Sequence, residues 1–104
     1  MSKKLINEGI TKKQFIKYLI DRGYKEYTPS GHPSTVYDYV KRIEQVISWE
    51  NYDGWKDVER NVSDLCCEYG IGGKKEKLGK ISHNSVISAI RRFSEFCADK
   101  ILDE

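Results

Sequence analysis

The apolar residues of the chain recur in four runs, each at the three- and four-residue spacing of one helix face. Phe15, Ile16, Leu19 and Ile20 make the first stripe, and Val36, Tyr39, Val40, Ile43, Val46 and Ile47 the second. Trp55, Val58, Val62, Leu65, Cys66 and Tyr69 follow as a third. Val86, Ala89, Ile90, Phe93, Phe96, Cys97 and Ile101 complete the set. No segment reads as a strand. Four amphipathic helices with one stripe each predict an all-α fold, a compact four-helix bundle in which the stripes bury one another.

Start and stop signals set the helix limits. Thr11-Lys-Lys-Gln14 has the form of a capping box, with Ile10 and Phe15 at the staple positions. Gly23 suits a left-handed helix end, so the first helix is expected over 11–22, with residues 1–9 as a flexible N-terminal arm. After the Pro- and Gly-bearing loop 24–33, Pro33, Ser34 and Thr35 suit a helix start. The second helix is expected over 34–49. Asn51-Tyr-Asp-Gly54 is a turn in which Asp53 can cap a third helix over 54–69. Gly70 should end that helix, with Ile71 folding back on Cys66. Ser82 should cap the last helix, over 82–102. Residues 1–104 are read as a single domain.

Composition narrows the setting. The chain has 104 residues, of which 12% are aromatic, too many for a disordered chain of this charge. It has no apolar run of membrane-spanning length and no signal-peptide core at its start, so a cytoplasmic location is expected. Three cysteines, two of them adjacent (Cys66, Cys67 and Cys97), make a poor disulfide framework. The two histidines, His32 and His83, lie far from them in sequence, so no metal is expected.

The net charge of +2 conceals segregation along the chain. Residues 1–43 carry nine Lys/Arg against four Asp/Glu, and residues 44–70 carry two against seven. Residues 71–92 carry six against one, and residues 93–104 one against four. A polarised molecule with an anionic partner on its basic side is the expectation this raises.

Candidate chemistry concentrates in Gly70–Lys80 and the helix after it. Gly72-Gly73-Lys74 invites comparison with a phosphate loop, but the first glycine of that motif is replaced by Glu68 and its Ser/Thr by Lys75. No nucleophile with a base, paired carboxylates or metal cluster is recognisable, so no catalytic residue, cofactor, small-molecule substrate or enzyme activity is expected. Lys74, Lys75, Lys77 and Lys80 on a glycine-rich loop instead suggest contact with a phosphate backbone. Ser82, Asn84 and Ser85 at a helix N-terminus would add donors. Arg91 and Arg92 would stand two turns on, with Lys41 and Arg42 extending the strip, and Lys12, Lys13 and Lys17 beyond. Duplex DNA is the expected partner, with Asn84, Ser88 and Arg91 as the candidates for base contacts.

Three segments resemble the N-terminal core-binding, SAM-like domain of phage integrases, the tyrosine recombinases. They are Pro33–Ile43, the Trp55-bearing helix, and Ser82–Phe96 with its Ile-Arg-Arg-Phe centre. The resemblance implies an orthogonal helical bundle that clamps one face of duplex DNA through backbone contacts. The chain shows no counterpart of the catalytic half of that family, and Tyr18, Tyr37 and Tyr39 sit on helical patterns. A second class of function follows from a stand-alone mobile-element protein: binding and inhibiting a host or defence protein with a basic surface. The acidic third helix, with Asp57, Glu59, Asp64 and Glu68, would supply the charge there. Trp49, Tyr24, Tyr27 and Tyr52 would supply aromatic anchors. A helix-turn-helix regulator using Ser82–Phe93 is a third reading, at odds with the long preceding loop.

Overall fold

Each predicted stripe folds as a helix, and a short fifth helix joins them. The computed structural model describes residues 2–103, with side chains from Thr11 to Lys100. The helices are α1 (Ser2–Asp21), α2 (Thr35–Trp49), α3 (Trp55–Tyr69), α4 (Glu76–Gly79) and α5 (Ile81–Asp103). No strand forms among the described residues; Tyr27 and Pro33 make one isolated bridge. None of these helices is long and apolar enough to cross a membrane.

The stripes meet in one core. Phe15 and Leu19 of α1, Val36, Val40, Ile43 and Val46 of α2, and Trp55, Val58, Leu65 and Tyr69 of α3 are buried together. Val86, Ile87, Ala89, Ile90, Phe93, Phe96 and Cys97 of α5 close the cluster. Phe93 stands at its centre, with ring centroids 5.1 Å from Phe15, 5.7 Å from Trp55 and 5.4 Å from Phe96. Burial pushes the Cys97 thiol up to about 12, which makes it an apolar filler at neutral pH. Cys66, on the third stripe, is only half-buried. Ile10 and Ile101 lie outside the described side chains.

The helix ends depart from expectation in four places. The first helix begins at Ser2, not at Thr11, which is 1% exposed within it. A capping sequence starts a helix only when the chain before it is not already helical, and here Gly9 does not break the run. The end of α1 follows the rule. Gly23 takes φ +96°, its N–H donates to the Ile20 carbonyl at 3.0 Å, and the Tyr24 N–H donates to Leu19 at 3.1 Å. Those two bonds are the Schellman pair.

At α3 the expected ending fails. Gly70 is extended (φ −86°, ψ −175°) and Ile71 is 87% exposed instead of folding back on Cys66. The chain instead doubles over the end of α3. A Cβ on Gly70 would stand 2.5 Å from the Cys66 carbonyl oxygen, one on Gly73 2.1 Å from that of Cys67, and one on Gly79 2.0 Å from that of Tyr69. At the start of α3, Asp53 lends its N–H to the Asp57 carboxylate at 2.8 Å, so Asp57 closes the turn from inside the helix.

The last helix also starts late. Ser82, His83 and Asn84 all adopt left-handed dihedrals, with φ of 54°, 59° and 68°, and the regular helix begins beyond them. Ser82 is therefore not a side-chain cap; its carbonyl accepts the Ser85 hydroxyl. Each non-glycine residue held left-handed costs about 1–2 kcal/mol, and short polar residues tolerate it best.

Two outcomes are expected from this geometry, both read by urea denaturation. Gly79→Ala should lose about 1–3 kcal/mol, since its Cβ meets backbone and nothing flexible can yield. His83→Gly, at an exposed left-handed position, should gain up to about 1 kcal/mol.

Candidate functional site

The glycine- and lysine-rich segment is first of all the closure of α3. A helix end leaves carbonyls without intrahelical partners. Here the Lys75 N–H donates to the Glu68 carbonyl at 2.8 Å, and the Gly73 N–H donates to Gly70 at 3.0 Å. The glycines admit the chain close to backbone, as expected, but the backbone is the protein's own.

Most of the loop's charge is met inside the fold. The Lys75 ammonium bonds the Glu50 carboxylate and lies 3.3 Å from Glu68. Lys74 reaches Glu68 at 4.0 Å, and Lys80 pairs with Glu76 at 3.0 Å. The Tyr69 hydroxyl donates to the same Glu50 carboxylate at 2.8 Å, while its ring stacks on Trp49 at 6.3 Å. Lys75 is thus an internal partner, while Lys74 and Lys80 make exposed pairs at the surface. Lys77 is exposed, with no partner among the described residues.

The other predicted cations divide. Arg91 is exposed and has no partner among the described residues. Arg92 turns the other way, donating to the Tyr24 hydroxyl at 3.4 Å and pairing with Glu95 at 3.3 Å. On α2, Arg42 donates to Gln45 at 3.0 Å and Lys41 is exposed. Lys12 pairs with Glu44 and Lys17 with Asp21.

The acidic helix is similarly accounted for. Asp57 pairs with Arg60 at 3.5 Å, and Glu59 with Lys56 and Lys100 at 3.5 and 3.2 Å. Glu68 faces Lys74 and Lys75 as above. Asp64 alone of the four predicted carboxylates is exposed with no partner among the described residues. Of the expected aromatic anchors, Tyr27 and Trp49 are 52% and 40% exposed, while Tyr24 and Tyr52 pack against the core.

What the fold brings together is a cleft of about 340 Å³ between the end of α3 and the start of α5. Its buried floor is Tyr69, Gly70 and Ile87; Ile71, Lys80, Asn84 and Arg91 stand exposed at its rim. Ser88 and Glu76 complete the lining. Helical spacing sets Ser88 and Arg91 on one face of α5, and the left-handed turn before the helix brings Asn84 to the same cleft. Lys80 joins them through the turn at 82–84. Ile71, Ile87 and Glu76 were missed. Ile87 was left out of the fourth stripe, and the exposure of Ile71 follows only from the extended Gly70.

Lys41, Arg42, Arg92, Ser82 and Ser85 do not line this cleft. Among the described residues no group of three or more His, Cys, Asp or Glu side chains could hold a metal ion. No family model, curated protein or solved structure matches the chain.

The Glu50 carboxyl sets the pH behaviour of the closure. Burial alone would raise it, but the hydrogen bonds from Lys75 and Tyr69 outweigh that and hold it below its ordinary value of 4.5. A carboxyl lowered by folding stabilises the fold above its unfolded pKa, and that contribution fades as pH falls through the lower folded value. Glu50→Gln should therefore be about 1–3 kcal/mol less stable than the parent near neutrality. The gap should shrink as pH drops below 4.5. Urea unfolding across the acid range checks both.

Proposed function

We propose that the protein is a non-catalytic nucleic-acid-binding module that contacts the phosphate backbone from the edge where α3, α4 and α5 meet. This agrees with the DNA clamp that the resemblance to integrase core-binding domains implies. One observation carries the reading: the side chains of Asn84, Ser88 and Arg91 converge on a single cleft with no partner among the described residues, beside Lys80, whose exposed pair with Glu76 also stands there. Arginine, amide and hydroxyl groups are the side chains that most often meet phosphate and sugar. Lys77, exposed on α4, adds charge at the same junction.

The contact set is narrower than the full basic segment. Lys74 and Lys75 are held by Glu50 and Glu68, so binding would require those pairs to be given up. Lys77 and Arg91 carry charge that no such pair cancels. The acidic face of α3 supports a rival, protein-directed reading less well, because Asp57, Glu59 and Glu68 are met by the protein's own cations.

Fluorescence anisotropy with labelled oligonucleotides at low and high salt tests the proposal. Arg91→Ala and Lys77→Ala should each weaken binding for all sequences and lower the salt slope by about 1. Lys75→Ala should leave that slope unchanged. Absence of binding at low salt overturns the proposal.

A further inference from the structure

The composition of the cleft is not that of a bare phosphate site. Its floor is apolar: Ile87 is 6% exposed and Tyr69 1%, with the Gly70 backbone between them. Ile71 is 87% exposed at the rim, a large apolar side chain with no core contact of its own. Phosphate gains nothing from such walls and loses hydration against them. A ligand matched to this lining has an uncharged, apolar-faced body to lie on Ile87 and beneath Ile71, and an anionic group within reach of Arg91 and Lys80. It also has donor and acceptor edges for the Asn84 amide and Ser88 hydroxyl.

Size points the same way. About 340 Å³ is at the small end of the range for ligand sites, roughly 300–1,000 Å³. That is room for one small planar body and its anionic group. A stacked base pair could not leave its duplex to reach the floor, whereas a base in a single strand has both faces available.

Resting on the nucleic-acid reading above, we propose that the cleft takes one unstacked nucleotide of a single strand. The base lies between Ile71 and Ile87, its edge is met by Asn84 and Ser88, and the adjoining phosphate is held by Arg91, with Lys80 joining it by leaving its exposed pair with Glu76. The left-handed turn at Ser82–Asn84 has a place in this arrangement. It lies between Lys80 and Asn84, both exposed at the rim, and the Asn84 N–H donates to the Lys80 carbonyl at 3.0 Å.

The test compares a single-stranded oligonucleotide carrying 2-aminopurine with a blunt duplex of the same length, each titrated with the full chain. The single strand should bind at least tenfold more tightly, and the 2-aminopurine fluorescence should rise severalfold as its base leaves the stack. Ser88→Leu, which fills the cleft from the face of α5, should bring single-strand affinity down to that of the duplex. Ile71→Ala, at a side chain that the fold does not use, should weaken the single strand several-fold and leave the duplex unchanged. Equal affinity for the two forms, insensitive to both substitutions, overturns the cleft assignment and leaves backbone binding standing. No binding of either form overturns the nucleic-acid reading itself, and this assignment with it.

Discussion

Everything at the junction of α3, α4 and α5 depends on how the C-terminus of α3 is closed. The last turn of that helix presents carbonyls that need donors, and Tyr69 presents a buried hydroxyl that needs an acceptor. The chain answers both by doubling back. Gly73 and Lys75 supply N–H groups to the turn, and Glu50 at the end of α2 receives the Tyr69 hydroxyl and the Lys75 ammonium together. Three glycines make the close passage sterically possible. Because this closure fixes where α4 begins, it also fixes where Lys80, Ile71 and the start of α5 can stand. The cleft is a by-product of capping a helix.

The same closure changes what the charge of the segment means. Along the chain, an acidic stretch of 27 residues is followed by a basic stretch of 22, and the contrast invites a picture of two opposed surfaces. In space the two stretches are neighbours, since α3 packs against both α4 and α5. Glu50 and Glu68 meet Lys75 and Lys74 between the two stretches, and Glu59 meets Lys100 from the segment after them. Such half-exposed pairs add little stability each, but they remove charge from the surface that a partner would meet. What remains of these two stretches, among the described residues, is local: Arg91 at the cleft, Lys77 on α4, and Asp64 on the acidic face.

Much of the fold was legible, for a physical reason that varies by element. The stripes on α2 and α5 were read nearly residue for residue, because a helix packed on one side must repeat its apolar positions at its own period. Gly23 was read correctly because a left-handed residue is needed there whatever lies around it. Thr11 misled because its capping pattern is local, and whether it caps depends on a preceding segment with few signals of its own. Ile71 misled because a Schellman ending and an extended exit use the same glycine. At the site, Ser88 and Arg91 could be grouped by helical spacing, whereas Lys74, Lys75 and Lys80 were grouped by adjacency. Spacing on a helix carries through to three dimensions; adjacency in a loop does not say which lysine finds a carboxylate.

The sequence by itself determined the all-α architecture, the composition of the core and the residue types available at the α3–α5 junction. These follow from short-range periodicity and the need to bury apolar faces, and neither depends on knowing a neighbour. Only the tertiary structure decided which charges survive at the surface. Only there does Ile71 become a rim, and only there do Lys80 and Arg91 come to share a cleft. Each of those outcomes is set by contacts between groups far apart in the chain, such as Lys75 with Glu50, and long-range pairing leaves no mark in the local pattern of residues.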